Sequence, residues 1–283
     1  MDVLIPCLAT DVAAYDRRQA LLILNNLCIP SENKRTILLG PSRDKLLSAL
    51  LKILQQKLSE CHLAVACLFN LSFYEETKGM LLHYVPAVNL KRSENDIPEQ
   101  YSFSQPTEKE DSLLRTLEGI VRAFLPHFLA HRKALKQDDS KKKRTAAPSV
   151  EELTLRWTMC LLRNLASLED HAVLLATTTT LPAAALQILE VVADDTDLSL
   201  WSHDSLPEAC LVFWVWLVEV PDKVRRYLVQ KHGEAAEPSA LRILKPIIAQ
   251  PGIQGIRARR VSTKLGPVDG EEYEDSASGI ASF

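Results

Sequence analysis

Three asparagines occupy the same place in three similar segments: Asn26 in Gln19–Leu27, Asn70 in Leu63–Leu71 and Asn164 in Trp157–Leu165. Each has a small residue six positions before it (Ala20, Ala64, Thr158), a Leu two before (Leu24, Leu68, Leu162) and a Leu directly after. A carboxamide offers both a donor and an acceptor, so a row of them can pair with the amides and carbonyls of an extended peptide whatever its side chains. Positions four and eight before each Asn share its helical face, which gives Arg18, Leu22, Asn26; then His62, Ala66, Asn70; then Arg156, Cys160, Asn164. A degenerate fourth copy, Ala209–Leu217, places Glu208, Val212 and Trp216 there. Basic residues beside such a row would select acidic or phosphorylated segments, and Trp216 would anchor an apolar side chain. The candidate partner-binding residues are therefore Asn26, Asn70, Asn164, Arg18, His62, Arg156 and Trp216. The competing reading is that these amides bond within the fold and hold successive units in register.

Other arrangements carry less chemistry. His127 and His131 are one helical turn apart but have no evident third metal ligand and no Glu between them. Cys61-His62 and His203-Asp204-Ser205 are sequence neighbours, whereas catalytic partners usually converge from distant positions. There is no G-x-S-x-G, G-x-G-x-x-G or Walker-type loop. The six cysteines stand singly inside apolar runs, as buried thiols do. No catalytic residue, metal or cofactor is expected. The run Lys141–Arg144 reads as a solvated loop, and Arg259-Arg260-Val261-Ser262 resembles a basophilic kinase site.

The elements that must carry these residues are helices. The 283 residues include 46 leucines and only 9 glycines, which leaves little room for phosphate loops, hairpins or barrels. Ser149-Val-Glu-Glu152 and Ser205-Leu-Pro-Glu208 read as capping boxes, the second with Pro207 at the helix start. Between the first two Asn segments lie a short helix ended by Gly40 and a longer one from about Ser42 to Lys57. The repeating unit is thus short helix, long helix, long helix.

The string Asn26-Leu27, Asn33-Lys34, Gly40, Leu46-Leu47, Leu50-Leu51, Ala64, Leu68, Asn70-Leu71-Ser72 resembles an armadillo repeat, well over residues 17–83 and more weakly over 112–249. The resemblance implies an all-α, right-handed helical solenoid of about four repeats, whose third helices line a concave groove for an extended peptide or partner protein. Successive Asn positions are 44 and 94 residues apart, and the second gap is read as one repeat with insertions at 84–111 and 137–149. The expected layout is a solenoid over 1–250 and a disordered charged tail over 251–283. The expected function is a non-enzymatic scaffold or adaptor for a protein or extended peptide. The alternative is a solenoid exchange factor or chaperone for a GTPase. With a net charge of -3, a nucleic-acid partner is not expected. No membrane is expected either, since the longest apolar run, Ala209–Val218, is about half a bilayer span. From the acidic residues near the start and no basic segment before an apolar core, the expected location is the cytoplasm, or the nucleus as well.

Overall fold

The computed structural model describes residues 1, 3–85, 112–137, 148–193, 201–233 and 239–266. Among them the chain is all-helical, with fourteen helices and no strand. In chain order these are α1 (Leu4–Cys7), α2 (Ala14–Leu27), α3 (Ser31–Leu39), α4 (Arg43–Gln55), α5 (Cys61–Leu71), α6 (Glu75–Leu82), α7 (Leu113–Gln137), α8 (Val150–Leu165), α9 (Glu169–Thr178), α10 (Leu181–Val192), α11 (Leu206–Val218), α12 (Asp222–His232), α13 (Ala240–Ile248) and α14 (Ile253–Leu265).

Helices three apart in sequence are neighbours in space. One layer is formed by α2, α5, α8, α11 and α14, each packed on the one before it. A second layer runs α4, α7, α10, α13, with α1 against α4 at its start. The short helices α3, α6, α9 and α12 pack against these layers, α6 on α7 and α8, α9 on α10 and α11. The core lies between the two layers. Its largest fully buried side chains include Trp214, Phe213, Leu21, Leu24, Leu50, Leu54 and Leu68, drawn from α2, α4, α5 and α11. Each buried Leu contributes roughly 1.5–3 kcal/mol of apolar transfer, offset by the ordering of the chain.

Local chemistry sets the helix boundaries. Ser149, Ser205 and Ser239 accept from the backbone N–H three residues on, at 3.1, 3.3 and 3.3 Å, so each satisfies one orphan donor at its helix start. Gly40 ends α3 at a close approach, because a Cβ there would stand 2.4 Å from the Thr36 carbonyl oxygen. Glu118 on α7 reaches the start of α10, where it accepts from the Thr180 backbone N–H at 2.8 Å and the Thr180 hydroxyl at 2.7 Å. Those two donors and Arg115 hold its carboxyl below the usual range, although burial pushes the other way.

Two expected boundaries are corrected. Residues 253–265 are not a disordered tail but helix α14, which packs on α11, α12 and α13. Its buried stripe is Gln254, Ala258, Val261 and Leu265, at helical spacing, and the four basic residues interleaved with it disguise the period. The first insertion begins after residue 84 rather than at it. Tyr84 is buried, its hydroxyl donates to the Asp44 carbonyl at 2.9 Å, and its own carbonyl accepts from the Leu113 amide at 3.0 Å. Residues 86–111 and 138–147, with the Lys141–Arg144 run, lie outside the described residues, as do 267–283. No single described helix is long and apolar enough to cross a membrane; α9 and α10 reach that length only together, bent by 83°.

Candidate third-helix face

Four of the five helices of the first layer, α2, α5, α8 and α11, carry the predicted site residues, and the structure divides them. Asn70 Nδ2 donates to Asn25 Oδ1 at 2.9 Å, which ties α5 to α2. Asn164 Nδ2 donates to Ser72 Oγ at 2.7 Å, which ties α8 to the end of α5. Both carboxamides spend a donor between successive helices, while Asn26 is exposed and its neighbour Asn25 takes the inter-helix contact. Replacing Asn164 by Ala is expected to cost about 0.5–1.5 kcal/mol in urea unfolding with no ligand present, since Ser72 keeps its bond to the Phe69 carbonyl. Asn26→Ala should stay within about 0.5 kcal/mol of wild type in the same measurement.

Arg18 is exposed and forms no ion pair among the described residues. Arg156 is half-buried: its Nε donates to the Asp204 carbonyl at 2.6 Å, and its guanidinium lies 5.1 Å from the centre of the Trp157 ring. Trp216 is 39% exposed, whereas Phe213 and Trp214 are fully buried and the Trp214 indole N–H donates to the Pro182 carbonyl at 3.3 Å. His62 and Glu208 are corrected from the expected exposed stripe. His62 is only 7% exposed with its Nδ1 unpartnered, and burial, then Arg18, lowers its pKa. Ala66 and Cys160 are buried as well, because close packing of α2, α5, α8 and α11 covers the face expected to be open.

The sequence reading missed the ionic network on this layer. Arg163, on α8, donates through Nη1 to Glu208 Oε2 at 2.9 Å and through Nη2 to Asp204 Oδ1 at 2.7 Å. Glu208, on α11, also accepts from Arg257 of α14 at 2.6 Å, so one carboxylate links three successive helices. From the sequence Glu208 is legible as part of a capping box and as a member of the fourth exposed stripe, not as an ionic partner. Ser205 does receive the Glu208 amide, but the carboxylate turns to the two arginines instead of returning to the cap. At the other end Arg17 and Glu60 form a buried pair at 3.4 Å, and Arg17 also donates to the Val12 carbonyl at 2.8 Å.

Aromatic rings and cations alternate where α5 meets α8. Phe69 lies 4.8 Å from Phe73 and 5.5 Å from Trp157, while Lys34 stands over Phe73 and Arg163 over Phe69. Such contacts are worth roughly 0.5–1 kcal/mol each when exposed. Phe73 is 50% exposed, so this edge is open to solvent.

Five of the six thiols are buried, while Cys7 is half-buried. Burial pushes Cys28, Cys61 and Cys160 up to about 12, and Cys67 and Cys210 well above the ordinary range. His127 and His131 are both exposed on α7, and among the described residues no group of three or more His, Cys, Asp or Glu side chains converges as a metal site. Ser262 lies within α14 beside buried Val261, which departs from the extended form a kinase site requires.

No protein-family model matches the chain, and no curated protein does. Among solved structures, two crystal structures of engineered proteins are similar to it. One overlaps at a TM-score of 0.45 with 13% identity, covering 93% of this chain and 97% of that one. The other overlaps at 0.38 with 15% identity, covering 93% and 95%.

Proposed function

We propose that the chain is an armadillo-type helical solenoid and acts as a non-enzymatic interaction scaffold in the cytoplasm or nucleus. Its third-helix face takes an extended, acidic or phosphorylated peptide segment. The observation that supports this best is the three-helix recurrence of packing, in which α2, α5, α8, α11 and α14 follow one another as a single layer. That layer carries exposed Arg18, half-buried Arg156 and Trp216 at 39% exposure. Asn70 and Asn164 serve chiefly to hold the layer together, so peptide selection falls to the cations and the indole. Helices spaced about 8–10 Å apart put Arg18 and Trp216, three helices apart, about 30 Å from one another. An extended chain covers that span in about nine residues.

The test is fluorescence anisotropy at low salt with the full chain and labelled dodecapeptides of acidic, phosphoserine-containing, neutral and basic composition. Acidic and phosphoserine peptides should bind preferentially, and Arg18→Glu combined with Trp216→Ala should weaken them at least about tenfold. Both positions are exposed, so the variant keeps its fold. No binding, or equal binding of all four compositions, would sink the proposal.

A further inference from the structure

Helix α14 carries a feature outside the proposed third-helix peptide face. Ile256, Arg259, Arg260, Thr263 and Lys264 of α14 line a surface depression of about 300 Å³. Ile256 is 62% exposed. Three of the five lining residues are cations and none is acidic. Arg260 is engaged by Glu219 at 2.7 Å, and Lys264 lies within electrostatic range of the same carboxylate, but Arg259 forms no ion pair among the described residues. An exposed isoleucine ringed by cations suits a short acidic segment bearing one large apolar or aromatic residue.

Such a segment follows in this chain. After Gly266 the sequence reads Pro-Val-Asp-Gly-Glu-Glu-Tyr-Glu-Asp, with five acidic residues between Asp269 and Asp275, and no Lys or Arg follows Lys264. Tyr273 sits in the middle of the acids. From Gly266 back to Ile256 is ten residues of helix, about 15 Å at 1.5 Å per residue. Seven residues from Gly266 to Tyr273 reach at most about 24 Å, which is more than enough. The intervening Gly266-Pro267 and Asp269-Gly270 are residue pairs that favour reversal of chain direction.

We infer that the acidic segment Glu271–Asp275 folds back onto the α14 depression of the same molecule, with Tyr273 against Ile256 and the carboxylates facing Arg259, Arg260 and Lys264. The contact covers the Ile256 face of α14 and weakens as ionic strength rises. It holds whether or not the third-helix face binds a peptide.

The test follows the Ile256 δ1 methyl resonance by NMR in the full chain with ¹³C-methyl-labelled isoleucine. The comparison chain carries Glu271→Gln, Glu272→Gln, Glu274→Gln and Asp275→Asn. The Ile256 resonance should differ between the two chains. A synthetic peptide of residues 267–283 should then return it, saturably, to the wild-type position in the neutralised chain. Wild type should bind that peptide about tenfold or more weakly, because its own segment competes at an effective concentration near millimolar. Identical Ile256 resonances in the two chains, or a peptide that leaves the resonance unmoved, overturn the inference. A wild-type resonance that shifts on hundredfold dilution overturns the intramolecular contact in favour of a second copy's segment. Failure of the dodecapeptides together with success here would remove the groove reading and keep this one.

Discussion

Replacing Glu208 by Ala is expected to lower the unfolding free energy by about 3–5 kcal/mol, near the lower end because Arg163 keeps its bond to Asp204. Glu208 is 5% exposed and accepts from Arg163 at 2.9 Å and Arg257 at 2.6 Å. Its removal leaves the Arg163 guanidinium with one of two carboxylate partners, in a place where the Arg163 side chain is only 11% exposed. The cost comes mainly from the cation left behind, because a buried charge without its counter-charge loses hydration and regains nothing. Urea unfolding followed by circular dichroism reads the effect as a lowered midpoint at unchanged slope.

The control is Glu219→Ala, which removes the pair that Glu219, just past α11, makes with Arg260 of α14 at 2.7 Å. Both partners there are substantially exposed, at 30% and 58%, so that change should cost less than about 1 kcal/mol. Hydrogen exchange should separate the two further. Arg257 ties α14 to α11 itself through Glu208, so Glu208→Ala should raise exchange across α14 before the rest of the layer. Equal, small costs for both variants would mean that the Arg163–Glu208–Arg257 triad carries no buried electrostatic stability.

The helical frame was legible because it rests on local rules. The Ala20–Leu24, Ala64–Leu68 and Thr158–Leu162 spacings mark core stripes, and all six residues are buried, a consequence of the 3.6-residue period alone. Ser149 and Ser205 cap because a hydroxyl three residues before a free amide has few better uses. What failed depended on what lies opposite a residue, which spacing does not encode. Helix α14 was hidden because its buried stripe contains Gln254 and Ala258 between arginines, so apolar content alone understates the period. His62 and Glu208 had the right register for an exposed face, but the neighbouring helices cover that face. The Asn25–Asn70 bond shows the same limit at one-residue resolution: adjacent asparagines sit about 100° apart around a helix, and only the packing decides which one meets the next helix.

Acid should destabilise the fold well above the pH at which ordinary carboxylates titrate. His171 and His232 are each 3% exposed, and burial lowers both from 6.5 to about 4. At His171 the neighbouring His83 ring, 5.6 Å away, lowers it further, Lys78 adds to this, and the Leu165 carbonyl and Asp170 oppose it. That carbonyl, 3.1 Å from Nδ1, can only accept, so Nδ1 carries the proton of the neutral ring and acid would add the second at Nε2, which faces α6 at Gly79. At His232 the ring lies edge-on to Trp214 at 5.4 Å with Nδ1 unpartnered, and Lys231 adds to the lowering. A histidine with a depressed folded pKa binds a proton in the unfolded chain before it does in the fold. Stability is therefore complete above about pH 6.5 and falls until about pH 4, by up to about 1.4 kcal/mol per pH unit for each histidine. His62 and His83, also lowered by burial, contribute in the same direction. Urea midpoints at pH 7, 6, 5.5 and 5 should decline steeply, and His171→Gln with His232→Gln, though less stable at pH 7, should show a shallower decline. A wild-type midpoint that stays level from pH 7 to 5 would mean that both rings reach solvent and protonate within the fold.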